Sequence, residues 1–403
     1  MIQISAIKRT TRLRIAIHLL MVSLLAAACV RVAAPQLKPI PPATQLPTLA
    51  DMLDPLPSPA ISTDISSFTP TLPPTNTPLP PSTPIIDIPA ISGEVPVTIL
   101  PLQGPLASSE AEISGMAWYR NYLILLPQFP KRMSPKADGA IFAIPREQIT
   151  GFLDGKRKGP LNPLEIPFVS SGVEKVIGGG FEGFEAIDFL DEQAFLAIEV
   201  NRGDSMMGYL VSGHIAPDLS EFRLDPTSLA RNPPQVNIGN LSDEALLVVG
   251  NRIFTLYEAN GARVNRAPAA HMFDFLFNPE GTLAFPQIEY RITDATELDE
   301  QGRFWVINFN FSGDKILQTE QDPLAVEYGE GPSHAKSQNV ERLVELQLGH
   351  DGITLSGEPP LQLQLLGDIA PRNWEGLVRL EQRGFLLVTD KYPMTFLGFV
   401  PLP

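Results

Sequence analysis

One cysteine in 403 residues leaves no partner for an internal disulfide, a cysteine-ligated zinc site or a dithiol redox pair. Positive charge is also scarce: 30 Lys and Arg against 45 Asp and Glu give a formal net charge of -15. That balance argues against nucleic-acid binding, which needs clustered cations. There is no HExxH run and no GxSxG elbow, and His214, His271, His334 and His350 lie far apart. A zinc peptidase and a serine hydrolase therefore have no local support. A long apolar run is missing as well. The stretch from Ile15 to Ala28 is broken by His18 and Ser23, and it is shorter than the roughly 20 residues that a spanning helix needs.

That short run follows four cations (Lys8, Arg9, Arg12, Arg14) with no anion among them, the layout of a secretory signal. The lone cysteine, Cys29, stands directly after Leu25-Ala26-Ala27-Ala28. The arrangement resembles a bacterial lipoprotein signal over residues 1–28, which implies lipidation of Cys29 and anchoring to the cell membrane on the extracytoplasmic side. Loss of the four cations leaves the rest of the chain more acidic still, so lipid rather than surface charge would hold it there. Residues 29–95 then read as a lipidated N-terminus and a stalk. Between Pro35 and Pro89 there are 16 prolines and no glycine. Such a segment cannot build a core and is expected to be a disordered, stiff spacer of polyproline II character, reaching roughly 150 Å.

From residue 96 to 403 the pattern changes to short apolar runs separated by turn residues, and one unit recurs five times. Its copies are Ser114 to Gln128, Glu185 to Glu199, Glu244 to Glu258, Asp294 to Asn308 and Glu375 to Asp390. Each is a polar residue, an apolar strand, a central turn (RN, DEQ, GN, EQG, QRG), a second apolar strand and a polar residue. This is a β-hairpin signature. The spacing between copies leaves room for two further strands each, among them Ala140 to Ile144, Leu164 to Val169, Met207 to His214, Leu343 to Leu348 and Leu361 to Leu366. The expected fold is all-β, a β-propeller of five four-stranded blades with room for a divergent sixth. The last unit holds only three strands, up to Met394–Val400, and Val95 to Leu102 is expected to add the fourth and close the ring. Residues 313–339 read as a loop inserted in the fourth blade.

The succession ISGMAW, GFEGFEAIDF, SDEALLVV, ITDATEL and NWEGLVRL resembles the esterase-like phytase domain family, whose segments run in a similar order, each followed by a strand ending in Asp or Glu. The departures are Gln128 and Asn308 in place of acids, and Asp390-Lys391-Tyr392 at the last strand end. The resemblance implies a secreted or cell-surface propeller of phytase-like or esterase-like type.

In a propeller the first strand of each blade lies nearest the axis, so ten strand-end side chains are expected at one mouth of the channel. Seven are acids: Glu185, Glu199, Glu244, Glu258, Asp294, Glu375 and Asp390. Seven ionised carboxylates would repel unless protons or a cation neutralised some of them, and calcium is the natural cation outside the cytoplasm. The alternative is structural: carboxylates accepting N–H bonds from the next blade, with Arg202, Arg291, Arg372 and Lys391 as neutralising cations. Ser114, Gln128 and Asn308 would complete the mouth as ligand-binding groups. Trp374, beside Glu375, would either stack on a ligand ring there or pack in the core. Gly178 to Gly183 matches GxGxxG formally, but a strand follows it and Glu182 would oppose a pyrophosphate, so it reads as a turn.

The resulting expectation is a membrane-anchored propeller acting as a calcium-linked hydrolase of a small phosphorylated or ester substrate. Paired carboxylates can also cleave glycosidic bonds. The alternative is a non-catalytic propeller that binds a ligand or partner protein at the cell surface. The anchor is open to a direct test: Cys29→Ser is expected to move the protein from the membrane to the soluble fraction, and retention at the membrane would refute lipidation.

Overall fold

The computed structural model describes residues 93–203, 205–367 and 371–402. The signal, Cys29 and nearly all of the Pro-rich stalk lie outside the described residues. Among the described residues no helix is long and apolar enough to cross a membrane.

Strand β1 (Thr98–Leu100) precedes five hairpin-based blades in four sheets, the outer strands of blades 1 and 2 pairing in parallel at Phe168 and Phe222. Blade 1 holds β2 (Ile113–Tyr119), β3 (Tyr122–Pro127), β4 (Ala140–Pro145) and β5 (Leu164–Val169), and blade 2 holds β6 (Phe181–Leu190), β7 (Gln193–Asn201), β8 (Met206–Ile215) and β9 (Phe222–Asn232). Blade 3 holds β10 (Asp243–Val249), β11 (Arg252–Tyr257), β12 (Ala269–Phe273) and β13 (Pro279–Ala284). Blade 4 holds β14 (Arg291–Ala295), β15 (Arg303–Asn310) and β16 (Val340–Leu348). Its outer edge is shared between β17 (Ile353–Leu355) and the two-residue β18 (Leu361–Gln362), so the longer strand expected from Leu361 to Leu366 is cut short. Blade 5 is β19 (Trp374–Leu380), β20 (Gly384–Thr389), β21 (Leu397–Pro401) and, at its edge, β1. The described residues thus form a five-bladed β-propeller. Thr98 pairs with Phe399 and Leu100 with Leu397, so the N-terminal strand closes the ring in the fifth blade as its pattern implies.

The five inner hairpins turn through residues with positive φ: Arg120, Asp191, Gly250, Gly302 and Glu381. This is the backbone that tight turns between right-twisted strands require. Inner strands are sandwiched between neighbouring blades, which is why they read as unbroken apolar runs; Leu123 to Leu126 are all fully buried. The outermost β13, with Pro279, Glu280 and Gly281, is largely exposed.

Apolar packing follows the seams. Ala117, Ile124 and Leu126 of blade 1 meet Phe184, Leu196 and Ile198 of blade 2, and Phe195 and Leu210 of blade 2 meet Leu246 and Ile253 of blade 3. Leu247 and Phe254 meet Ile292 and Phe304 across the next seam. Trp305 and Ile307 of blade 4 pack with Trp374, Phe385 and Val400 of blade 5. At the closing seam Leu100, Leu386 and Leu397 pack on Met116 and Leu125 of blade 1. Every blade depends on two neighbours, so the ring is stable only when closed. Leu100→Ala is expected to cost about 2–5 kcal/mol in chemical denaturation, against within about 0.5 kcal/mol for Ile316→Ala at an exposed site. Equal costs would show that β1 does not carry closure.

Candidate functional site at the acidic mouth

The first residue of each repeat sits where the inner strand slips register. Ser114, Glu185, Glu244 and Glu375 are the extra residues between Ile113/Gly115, Phe184/Ala186, Asp243/Ala245 and Trp374/Gly376, and Asp294 lies in the shift between Ile292 and Ala295. A bulge releases its side chain from the alternation of the strand and re-aims it. Side-chain length then decides where it ends. The short ones stop at the next blade: Ser114 Oγ donates to the Phe184 carbonyl, and Asp294 Oδ2 accepts the Leu377 N–H at 2.6 Å. The three glutamates are longer and line a cavity of about 750 Å³.

Of the second-strand ends, Gln128, Glu199 and Asp390 also line this cavity. Glu258 is fully buried behind it and takes Arg291 as an ion-pair partner. Asn308 is turned inward, donating to the carbonyls of Glu289 and Arg291 and accepting Arg342 Nε at 2.8 Å. The expectation of ten side chains at one mouth is therefore corrected. Ser114 and Asp294 lock neighbouring blades together instead, and Asn308 braces the strands of blade 4, because each finds backbone or arginine partners within reach. Trp374 does not line the mouth either. It is fully buried, and its indole N–H donates to Glu341 Oε2 at 2.8 Å. Glu341 also receives Arg372 Nε at 2.8 Å, so Arg372 serves the seam between blades 4 and 5 rather than the acidic ring. Arg202 likewise binds the carbonyls of Ile177 and Gly179.

The rest of the site comes from connecting segments. Glu112, two residues before the first repeat, holds Arg132 at 2.6 Å and also binds Lys391. Arg291 Nε reaches Asp314 of the inserted loop at 2.8 Å. Asn373 Nδ2 donates to Glu375 Oε1 and, at 3.5 Å, to Asp390 Oδ2, joining the two acids of blade 5. Gln128 Nε2 donates to Glu185 at 3.2 Å. Gly183, at φ 147°, is needed beside this contact: a Cβ there would stand 2.2 Å from the Gln128 side chain. Phe311 and Tyr392 stand 46% and 59% exposed and line the same cavity. Arg291 and Lys391 stand where the sequence suggested neutralising cations, and Asn373, inside the NWEG segment, had its nearness to Glu375 as a signal.

Burial dominates the electrostatics, and mutual repulsion adds to it. Burial, then the Glu199 and Glu375 charges, pushes Glu185 well above the usual carboxylate range. Burial and the charges of Glu258 and Glu375 do the same to Glu244. Burial, then Asp390 and Glu258, raise Glu375 well above its ordinary value. Glu199 is pushed up to about 7, by burial and then by Glu258. Asp390 is pushed up to about 6, by burial and then by Glu112. Glu258 is raised by burial, with Arg291 opposing. The mouth thus gathers carboxyls that are all raised above their ordinary values by burial and by one another. Among the described residues, no group of three or more His, Cys, Asp or Glu side chains stands in an arrangement that could hold a metal ion, so the calcium expected from the acid count finds no formed cage.

Neither a scan against family models nor a search of curated proteins found a match to the chain. Among solved structures the chain is similar to a family 32 β-fructofuranosidase of Bombyx mori, at 10% identity and a TM-score of 0.40, over 71% of this chain and 59% of that one. It is similar as well to a glycoside hydrolase of Parabacteroides distasonis, at 12% identity and a TM-score of 0.41, over 78% and 93% of the two chains. An α-L-arabinanase of Cellvibrio cellulosa matches at 10% identity and a TM-score of 0.38, over 70% of this chain and 88% of that one. The propeller assignment rests on the strand pairing described above.

The raised carboxyls set the pH dependence of stability. Glu199 and Asp390 rise from ordinary values of 4.5 and 3.8 to about 7 and about 6, so folding favours their protonated forms. Their contribution is fully present below about pH 4 and is lost as pH rises to about 7. Glu94, held low by His334 and Ser333 against its burial, acts in the opposite sense and only in acid. The melting temperature is expected to fall between pH 5 and 8, and Glu199→Gln is expected to flatten that fall and raise stability at pH 8 by about 1–2 kcal/mol. Calcium followed by a chelator is expected to leave the profile in place. A rise of several degrees with calcium, reversed by the chelator, would assign the ring to a metal instead.

Proposed function

We propose that this chain is a lipid-anchored, extracytoplasmic hydrolase that cleaves a small substrate by carboxyl acid–base catalysis at the acidic mouth. One observation carries the reading. Glu375 and Asp390, joined through Asn373, stand in different surroundings, burial and the Asp390 and Glu258 charges raising the first and burial and the Glu112 charge raising the second. Paired groups whose surroundings separate their protonation states are the mark of an acid and a base working together. Glu375 gives its proton to the leaving-group oxygen, Asp390 takes one from the attacking water, and water adds across the C–O bond of a glycoside or ester. The two carboxyls exchange protonation states and are reset by proton transfer.

The phosphorylated substrate expected from the family resemblance is less well supported. The three cationic side chains lining the cavity are engaged, Arg132 and Lys391 by Glu112 and Arg291 by Glu258 and Asp314. A phosphate would therefore meet carboxylates with no free cation beside them. The second reading, a non-catalytic propeller binding a ligand at this mouth, has one observation in its favour: Ser114, Asp294 and Asn308 of the same ring are bound up between or within blades.

Chromogenic glycosides, carboxylic esters and phosphomonoesters separate these readings. Turnover is expected for a glycoside or an ester and not for a phosphomonoester. Glu375→Gln and Asp390→Asn are each expected to lower kcat by about 10²–10⁴, with the melting temperature unchanged or raised. Silence across all three classes would leave the ligand-binding reading.

A further inference from the structure

We propose that a second site, on the outer part of blade 3, binds a tetrahedral oxyanion: a phosphate or sulfate group, free or carried on an ester. The inference is independent of the hydrolase reading, because the groove concerned shares no lining residue with the acidic mouth. This groove, of about 590 Å³, is lined by Gln235 of the β9–β10 connector, by the β11–β12 connector from Arg263 to Ala267, and by His271 of β12. Charge is the first argument. In a chain of net charge -15, the lining holds two arginines and a histidine and no acid. Arg263 and Arg266 are exposed, and among the described residues neither has an ion-pair partner, whereas the cations of the mouth are all paired. Arg263 donates through Nη1 to the Gln318 carbonyl at 2.7 Å, which steadies the guanidinium and leaves Nη2 for a ligand. Glu289 stands close enough to feel Arg263, but it is buried, accepts the Ala262 N–H and lies outside the lining.

The second argument is construction. Gln235 braces one connector against the other: its Oε1 accepts Asn265 Nδ2 and the Ala269 N–H, each at 3.0 Å, and its Nε2 donates to the Ala269 carbonyl. The Val264 and Asn265 N–H groups both donate to the Gly261 carbonyl, at 3.0 and 2.9 Å, so Arg263 and Arg266 project from a closed turn. A connector ordered in advance lowers the cost of ordering it around a ligand. His271 is held from behind. Its side chain is 19% exposed, and Nδ1 stands 3.7 Å from Oδ1 of Asp243, a buried acid that also accepts Thr255 Oγ1 at 2.9 Å. Burial works against the charged ring, the Asp243 carboxylate works for it and prevails, and the His271 imidazole is raised above its ordinary value. The groove thus combines two guanidinium forks, each suited to a pair of oxygens, with an imidazole N–H. A planar carboxylate has oxygens for one fork, while a tetrahedral oxyanion has enough for all three groups.

Calorimetry of the full-length protein with inorganic phosphate, at low ionic strength so that screening is weak, tests this. Binding is expected with a Kd of about 1 mM or tighter. Arg266→Gln is expected to weaken it at least about tenfold, as the loss of a charge-assisted fork implies, and Arg132→Gln, at the mouth, is expected to leave it unchanged. Arg266 is exposed, so its replacement spares the fold, and the melting curve of the variant checks that. Glucose 6-phosphate and glucose identify the source of the anion. Equal affinity for the ester and for inorganic phosphate assigns the site to the free anion, tighter binding of the ester assigns it to a phosphorylated sugar, and either result supports the site. No binding at about 10 mM phosphate, weakening by Arg132→Gln in place of Arg266→Gln, or equal affinity for glucose and its phosphate would each overturn the proposal. The readout is binding away from the mouth, so turnover there, or its absence, does not bear on it.

Discussion

Crowding of carboxyls around one axis is the constraint to which the rest of this propeller answers. Five inner strands each slip register at the same place and turn a side chain off the strand. A closed ring brings those side chains together whether or not their charges are compatible. The chain resolves the conflict in three ways. Short side chains, Ser114 and Asp294, are spent on backbone groups of the next blade. One acid, Glu258, is given a permanent cation in Arg291. The remaining glutamates are raised well above the usual carboxylate range, because burial makes ionisation costly and each charge raises the next. Seam packing and acid placement are thus one problem, since the bulge that re-aims the acid also sets how closely the inner strands approach. Gly376 illustrates it: a Cβ there would stand 2.5 Å from Val388 and 3.0 Å from Met116 of blade 1.

Much of this was legible in the sequence because a hairpin is a local object. Two apolar strands about a tight turn repeat with a fixed offset, so the five units, and the need for an N-terminal strand to complete the last, followed from spacing alone. Outer strands were harder to read. β9 and β13 are largely exposed or half-buried, and β12 is a run of only five residues, so they carry no pattern that separates them from loops. The blade 4 edge is divided between two short strands, and just beyond the second Leu363 pairs with the incoming Val95.

The site was legible to the level of Cα position and no further. Equivalent repeat positions do lie at equivalent points of the ring, yet one methylene separates Asp294, which ends on a backbone N–H of blade 5, from Glu375, which reaches the cavity. Trp374 adjoins Glu375 in sequence but faces the opposite side of a strand buried on both faces, where Glu341 and Arg372 hold it. The groups that make the mouth a chemical site (Glu112, Asp314, Asn373 and the exposed rings of Phe311 and Tyr392) come from connectors. Their positions are set by tertiary pairing with Arg132, Lys391 and Arg291, which no local pattern encodes.

A store of protons and a binding place for cations are two states of the same carboxyls, and they compete. An acid held protonated by its neighbours' charges ionises when a cation arrives, because the cation lowers the cost that repulsion and burial impose. Within blade 5, Asn373 bonds to Glu375 and Asp390 at once, so the two acids share one neutral donor and the charge of Asp390 raises its partner.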